Sequence, residues 1–282
     1  MVPAPFKRYT ITFTVATNWT INHVLFFWKH DFPKIQDMSN VPLGTILSLK
    51  YKDENGHVHH RGHGKSNDKC FSNTTSVNVF VGKIINVKLP SFGKIQITGC
   101  LEESQAYKGV HAIWKAIQAI EEKNPGFCKL PPDEPPKIIF NPVMNNVSVN
   151  IGFEVNRQKL QTFLYRCKEM DFILPTKDER YAGTKVETKI QDISHIPLVK
   201  QRFLQGKWYS SNATMNDFLA LLNAKSRKEE SRKTHQHVIL IFHSGKLIYI
   251  APRFELMPKF YDFFLKLLHE HRNEIEETCQ AH

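Results

Sequence analysis

The chain has 282 residues, of which 41% are apolar and 23% charged, a composition typical of a folded protein and not of a disordered basic tail. It carries 38 Lys and Arg against 27 Asp and Glu, which gives a formal net charge of +11. No segment approaches about 18 consecutive apolar residues, and residues 1–13 lack the layout of a signal peptide, so a membrane-spanning or secreted protein is disfavoured. The five scattered cysteines favour a reducing compartment over a disulfide framework.

The excess of positive charge has two interpretations at this point. A basic protein of this size can carry its charge for solubility alone. The alternative is an anionic partner, with nucleic acid preferred over a membrane because no basic amphipathic helix is evident.

The first half begins with alternating β-branched residues that predict a strand over 9–15. Asn18-Trp19-Thr20 provides a helix start ahead of apolar residues at helical spacing. A strand over 45–51 follows, and then an irregular insertion at about 52–73. Two strands, 85–89 and 94–98, flank a tight turn, and the half closes with a helix whose apolar stripe is Ala106, Val110, Ile113, Trp114, Ile117 and Ile120.

A proline-rich connector at 129–137 divides the chain almost in half. Its four prolines cannot lie inside a helix or a central strand, so the segment is predicted to be a stiff linker. This division predicts one repeat over 1–128 and a second over 138–282.

The second half has the same order of elements. A strand over 146–151 is followed by the helix N-cap Asn156, a strand over 184–190, and an insertion at about 191–234. Two strands, 238–242 and 246–250, again flank a glycine-containing turn. The closing helix starts with Pro258 in its first turn and carries the apolar residues Leu256, Met257, Phe260, Tyr261, Phe264, Leu267 and Leu268.

Two such repeats predict an α+β protein whose helices cover one face of an antiparallel sheet and leave the other face open. An open sheet face on a basic protein is a candidate binding surface.

The first insertion contains residues that could bind a metal. Imidazoles and a thiol can form a zinc site, but the spacing here matches no zinc-finger pattern, so a mobile basic loop is the preferred interpretation. The residues concerned are His57, His59, His60, His63 and Cys70.

The second insertion is basic at 200–202 and 225–233, with a short amphipathic helix predicted around Phe218. Its charges are typical of a solvated helix face, with phosphate contacts or a partner surface as the alternatives. The chain has no phosphate-binding loop, nucleophile elbow or metalloprotease motif, so neither enzymatic activity nor a cofactor is expected.

Residues 240–248 resemble the strand–turn–strand signature of the TATA-box-binding protein family, and residues 93–100 resemble its counterpart in the other repeat. The divergence is similar to that of the TATA-box-binding-protein-like factors of large DNA viruses. The resemblance implies an α+β saddle, in which two pseudo-symmetric repeats form a curved antiparallel sheet with helices on the convex face.

The resemblance also implies a mechanism in which the concave sheet lies on the minor groove and apolar wedges enter the base stack. The wedge positions of the family fall on Leu43 and Pro90 in the first half, and on Tyr181 and Phe242 in the second. Only Phe242 keeps the family's phenylalanine, and Phe92 is a possible substitute for Pro90. We therefore expect DNA bending that is asymmetric or smaller than the family implies.

The family reads the centre of the groove with an Asn from the first strand of each repeat. Either Asn145 or Asn146 matches it in the second half, and Arg8 stands at the matching place in the first. These departures affect TATA specificity more than DNA binding itself. Further candidates for groove or backbone contacts are Thr98, Lys88, Lys94, Lys185 and Lys246.

The function implied by the resemblance is that of a DNA-binding transcription initiation factor, not an enzyme. Its expected partners are double-stranded, AT-rich promoter DNA and, on helices near Glu102 and Glu255, a transcription factor IIB-like protein and RNA polymerase. The expected state is a monomer, in a nucleus or in a viral replication factory in the cytoplasm. The alternatives are a protein-interaction scaffold of the same fold and, less favoured, a nucleic-acid enzyme with the saddle as an accessory domain.

Overall fold

The computed structural model describes residues 7–35, 37–64, 70–90, 94–167 and 183–277. Within these ranges no helix is long and apolar enough to cross a membrane. The strands are β1 (Lys7–Thr17), β2 (Thr20–Ile21), β3 (Thr45–Lys52), β4 (Val58–Gly62), β5 (Thr74–Phe80), β6 (Ile84–Pro90), β7 (Ile95–Cys100), β8 (Cys128–Lys129), β9 (Lys137–Asn150), β10 (Gly183–Ile190), β11 (Leu198–Leu204), β12 (Lys207–Ala213), β13 (His235–Phe242) and β14 (Lys246–Ala251). The α-helices are α1 (His23–Lys29), α2 (Glu103–Lys123), α3 (Arg157–Arg166), α4 (Met215–Ala220), α5 (Ala224–Ser231), α6 (Met257–Glu270) and α7 (Arg272–Ile275).

The chain divides into two compact units. The first unit comprises residues 11–142 and 194–233, and the second comprises residues 1–10, 143–193 and 234–282. The boundaries between them fall inside β1 and β9. Most of the insertion predicted at about 191–234 therefore groups by its contacts with the first unit, although it interrupts the second half of the sequence.

The sheet of the first unit has the strand order β9-β1-β7-β6-β5-β3-β4, with antiparallel pairing from β1 to β4. Alternate residues of these strands are buried against α1 and α2, as period-two side-chain alternation requires. Each aliphatic side chain buried in this way contributes about 1.5–3 kcal/mol. The stripe predicted for α2 is confirmed, since all six of its residues are buried: Ala106, Val110, Ile113, Trp114, Ile117 and Ile120.

Helix α1 begins later than the sequence predicted. Asn22 is its N-cap, and the Asn22 side chain accepts hydrogen bonds from the backbone N–H groups of Val24 and Leu25. The predicted start at 18–20 is wrong because Thr20 and Ile21 instead form β2, which pairs with β8.

The outer strands of the first unit differ from the prediction. The sequence treated the strand at 45–51, which is β3, as the counterpart of β10. The two strands occupy different places: β10 lies next to β13 of the second hairpin, whereas β3 lies between β5 and β4. The strand that pairs with β6 is β5, which the sequence analysis did not identify. The segment predicted as an irregular insertion at 52–73 contains β4, which pairs with β3. The outer edge of this sheet therefore has more strands than the sequence predicted.

The second unit has the strand order β10-β13-β14-β9, with antiparallel pairing throughout. Its core packs these strands against α3 and α6. Two sequence predictions are confirmed: Asn156 caps α3 through its side chain, and Pro258 lies in the first turn of α6. Of the aromatic residues of α6, Tyr261 and Phe264 are buried, but Phe263 is exposed.

The segment 194–233 adds to both faces of the sheet of the first unit. Strand β11 pairs with the start of β9, and residues of the β11–β12 hairpin pack against α2. On the other face, Phe218 of α4 clusters with Ala16 and Ile139. Ala16 follows the core residue Val15 in β1, so it points away from the α2 side. Part of the face predicted to be open is therefore covered by α4.

Candidate nucleic-acid interface

A group of aliphatic side chains lies on the side of the second unit opposite its helices. Leu240 pairs with Ile248, and Val238 pairs with Ile250, across the β13–β14 hairpin. All four are half-buried, and they alternate along each strand with fully buried core residues. We refer to Val238, Leu240, Ile248 and Ile250 as the aliphatic patch. Contiguous, partly exposed apolar side chains of this kind are typical of binding surfaces.

Phe242 extends the aliphatic patch at the end of β13. It pairs with Gly183 of β10. A Cβ atom at Gly183 would lie 2.8 Å from the Ile241 carbonyl oxygen and 3.3 Å from the Phe242 ring. The glycine therefore allows the Phe242 ring to lie close to the neighbouring backbone, beside the patch.

The two Asn candidates of β9 point to opposite sides. Asn145 is buried, and its amide donates to the Pro252 carbonyl oxygen at 3.1 Å. Asn146 pairs with Ile250 and lies on the same side as the aliphatic patch, where its amide donates to the Thr10 hydroxyl at 3.1 Å. The Oδ1 atom of Asn146 has no hydrogen-bond partner. Asn146, and not Asn145, thus lies on the side of the sheet that carries the aliphatic patch.

Three basic candidates belong to the second unit. Lys185 forms an ion pair with Glu187 at 2.5 Å on β10. Lys246, at the start of β14, is exposed. Arg8 lies on β1, but its side chain is outside the described residues, as is the whole of Tyr181.

The corresponding side of the first unit is polar. Asn86 donates to Ser76 at 2.7 Å and to Asn78 at 2.9 Å, and Asn78 donates to Ser48 at 2.9 Å. We refer to these four residues as the amide ladder. Thr98 pairs with Asn86 and continues the row onto β7.

Lys88 lies beside the amide ladder and contacts an aromatic residue that the sequence analysis missed. Its Nζ atom is 3.3 Å from Gln96 Oε1 and 3.7 Å from the centroid of the Phe71 ring. Burial lowers the pKa of Lys88 from its usual value. Phe71 is 63% exposed, which makes it an unusually accessible aromatic next to this face. The available sequence signal was one bulky aromatic in an otherwise polar segment.

The structure separates the two wedge candidates of the first half. Pro90 pairs with Thr74, where β5 begins, which is also the end at which Phe71 lies. Leu43 is 59% exposed and precedes Gly44, whose N–H donates to the Phe80 carbonyl oxygen, where β5 ends. Leu43 and Pro90 are therefore at opposite ends of the β5–β6 hairpin, and Phe71 is an apolar side chain at the Pro90 end. Phe92 lies outside the described residues.

Lys94 forms an ion pair with a buried carboxylate. It pairs with Glu230 of α5, whose side chain is only 3% exposed and which also pairs with Lys233 at 2.9 Å. Burial by itself would raise the pKa of Glu230, but the hydrogen bonds from the two lysines outweigh it and hold that pKa below its usual value. Lys94 is thus a tether for α5 in this structure.

Of the histidines of the first insertion, His57 and His59 share Asp53 as a partner, whereas His60 and His63 make other contacts. Asp53 Oδ2 is 2.8 Å from His59 Nε2 and 3.6 Å from His57 Nδ1. His60 pairs with Lys50 across β3 and β4, and burial, together with Lys50, lowers the pKa of His60. The backbone N–H of His63 donates to Leu47, and burial raises the pKa of the Cys70 thiol. In the part of the chain that the structure describes, no group of three or more potential ligands is placed to hold a metal ion.

The sheet-and-helix architecture described above defines the class: the chain has the fold of TATA-box-binding proteins. The TATA-box-binding protein of Methanococcus jannaschii superimposes with a TM-score of 0.50 over 95% of this chain and 99% of that chain, at 12% sequence identity. Uncharacterized protein 335L of Invertebrate iridescent virus 6 is 22% identical over 201 residues, covering 68% of this chain. The chain spans 57% of the length of that curated relative. No family model matches the sequence.

Proposed function

We propose that this protein is a transcription initiation factor that binds promoter DNA through the minor groove, using the sides of its two units that face away from α2 and α6. The observation that carries the proposal is the aliphatic patch, with Phe242 and Asn146 beside it, on this fold. The minor groove of A·T pairs offers only acceptors at its floor and no protruding donor, so a flat, largely apolar surface can approach it closely. The net charge of +11 supplies attraction to the phosphates.

In the second unit, Phe242 is the wedge of the proposed mechanism. An aromatic ring at the end of a strand can enter a base step, and unstacking that step costs a few kcal/mol, which a wide contact surface offsets. In the first unit we assign the corresponding role to Phe71 and Pro90, because both lie where β5 begins. The amide ladder and Lys88 then offer polar contacts to base edges and sugars.

The proposal includes the partners and the location that the fold suggests. A transcription factor IIB-like protein and RNA polymerase would dock on the helices, near Glu102 and Glu255, and the factor would act as a monomer without enzymatic activity. The viral relative supports a site of action in the replication factory or the nucleus of an infected cell.

A gel-shift series with AT-rich and random duplexes at two salt concentrations tests the proposed function. We expect the wild-type protein to prefer the AT-rich duplex and to bind more weakly at high salt. Leu240→Glu should abolish the preference, because it places a carboxylate in the aliphatic patch facing the groove. Phe263→Glu introduces the same charge at an exposed apolar residue of α6 and should bind as the wild type does.

The alternative function is a protein-interaction scaffold that has lost TATA-specific bending. It is favoured by one observation: α4 covers part of the sheet face of the first unit, and the amide ladder satisfies many of its own hydrogen bonds. Absence of binding to any duplex at low salt would exclude the proposed DNA-binding function and leave the scaffold.

A further inference from the structure

Helix α5 belongs to a segment that is fixed on the side of the first unit that the proposed function assigns to DNA. The preceding helix, α4, buries Phe218, and Leu222 just after the helix joins it in a cluster with Ala16 of β1 and Ile139 of β9. Because these strand residues point away from the α2 side, α4 and the helix that follows it lie on the sheet face that carries the amide ladder.

Two charged residues hold α5 in one orientation. The Arg227 guanidinium donates to the carbonyl oxygens at the end of α4, at 2.9 Å for Leu219 and 3.1 Å for Leu222. Glu230, one turn later, forms the buried ion pair with Lys94, the residue just before β7. Since residues three apart lie on one side of a helix, this pair defines the anchored side of α5.

The opposite side of α5, together with its C-cap residue Arg232, forms a basic stripe. Lys225, Lys228 and Arg232 are spaced by three and four residues, which places them together and roughly opposite Arg227 and Glu230. All three are exposed, and within the described residues none of them pairs with a carboxylate. Glu229 is the acidic residue beside the stripe on the same helix. Three exposed basic side chains at a helix that Arg227 and Glu230 hold in place indicate an anionic partner.

We propose that this stripe of Lys225, Lys228 and Arg232 binds phosphates of duplex DNA that extends beyond the part lying on the sheet. The inference rests on the proposed function and adds a second contact site to it. It also accounts for the pairing of Lys94 with Glu230: a lysine predicted to meet phosphate is used instead to hold a helix that presents three other cations. The rigid attachment matters because side chains that are already positioned lose less entropy on binding.

The test compares the salt dependence of DNA binding between two triple variants with the same charge change. The first is K225Q/K228Q/R232Q. The matched control is K29Q/K108Q/K115Q, three exposed lysines on α1 and α2, on the other side of the sheet. If the stripe contacts phosphates, the slope of log affinity against log salt should fall by about 2–3 in the first variant, since each lost phosphate contact removes about 0.9. The control should keep the wild-type slope within about 0.5.

Duplex length provides a second readout. Lengthening an AT-rich duplex on both sides of the core site should tighten binding by the wild type and the control, but not by K225Q/K228Q/R232Q. Equal slopes and equal length dependence for the two triple variants would overturn the stripe while leaving the proposed function intact. Failure of the wild type to bind any duplex at low salt would instead overturn the proposed function and the stripe with it.

Discussion

Glu230 helps to hold α5 in place through a buried ion pair, and replacing it should measurably lower the free energy of unfolding. Glu230→Gln should destabilise the protein by about 2–3 kcal/mol at neutral pH, because Lys94 keeps its charge in a mostly buried place without a counter-ion. The measurement is urea unfolding of the variant against the wild type. Glu229→Gln, the exposed neighbour with the same change, should be within about 0.5 kcal/mol of the wild type.

The difference in the free energy of unfolding between the wild type and Glu230→Gln should depend on pH in a defined direction. The folded-state pKa of Glu230 lies below its unfolded value of about 4.3, so the stabilisation is present above that pH and is lost as the pH falls through the folded pKa. The gap between wild type and Glu230→Gln should therefore narrow in acid. A gap that stays constant from neutral pH into acid would contradict the assignment.

Protonation of His237 in the second unit should cause a separate loss of stability at acid pH. Its ring stacks on Phe260 at a centroid distance of 4.4 Å, and its Nδ1 atom is 2.6 Å from the Tyr249 hydroxyl. Burial lowers the pKa of His237 from 6.5 to about 4. The unfolded chain thus takes up the proton at a higher pH than the folded protein, and this contribution to stability is complete above about 6.5 and is lost as the pH falls toward 4.

Thermal unfolding between pH 7.5 and 4.5 tests the contribution of His237 to this loss of stability. The melting temperature of the wild type should fall more steeply with decreasing pH than that of His237→Gln, whose amide does not titrate. Parallel plots of melting temperature against pH for the two proteins would show that His237 does not contribute to the loss of stability. Part of the wild-type slope should remain in the variant, because burial also lowers the pKa of His30.

At the residue scale the sequence predicted types of side chain better than their directions. It matched an Asn of the first strand of the second half to the family's groove position but could not choose between Asn145 and Asn146, because a shift of one residue in a strand exchanges its two faces. It placed Leu43 and Pro90 together as wedges of the first half, although they lie at opposite ends of the β5–β6 hairpin. Phe71 was missed because its candidacy depends on its contact with Lys88, which is distant in the sequence, and on its place before β5, a strand that the sequence analysis did not identify.

At the scale of elements, the β11–β12 hairpin is attached to α2 by stacked rings. The Trp208 ring lies parallel to His111 at 4.8 Å and edge-on to Trp114 at 6.3 Å. Trp208→Ala should destabilise the protein by about 2 kcal/mol, since a half-buried aromatic loses its packing and leaves a gap. Tyr209→Ala, the exposed neighbour on the same strand, should change the free energy of unfolding by less than about 0.5 kcal/mol.

Chemical unfolding monitored by circular dichroism distinguishes these variants, since the signal does not depend on the replaced tryptophan. Equal effects of the two substitutions would contradict the packing of the hairpin on α2. The hairpin also bears on partner binding, because it occupies part of the α2 surface that the proposed function assigns to other proteins.

Elements with a long, regular pattern were predictable and elements defined by distant partners were not. Helix α2 carries six apolar residues at helical spacing, and all six are buried. Strand β5 has Thr, Ser and Asn at alternate positions, which resembles a loop until cross-strand hydrogen bonds satisfy those groups. The attachment of 194–233 to the first unit depends on contacts such as Gln201 with His111, which no local pattern specifies.

At the scale of the whole molecule, the two units present different chemistry on the sides assigned to DNA. The second unit carries the aliphatic patch, and the first carries the amide ladder with Lys88. The chain's positive charge can attract any duplex, so charge alone does not distinguish groove binding from non-specific adhesion. The central claim is therefore that the groove contacted is the minor groove.

The most direct test is the affinity of the wild-type protein for three matched duplexes in which a central run of A·T pairs is kept, replaced by inosine·C, or replaced by G·C. Inosine·C keeps a minor groove like that of A·T but changes the major groove, whereas G·C adds an amino donor to the minor groove. We predict equal affinity for the A·T and inosine·C duplexes, and binding to the G·C duplex that is weaker by about tenfold for each replaced pair that contacts the patch. Weaker binding to inosine·C than to A·T, or no binding to any of the three at low salt, would contradict the account.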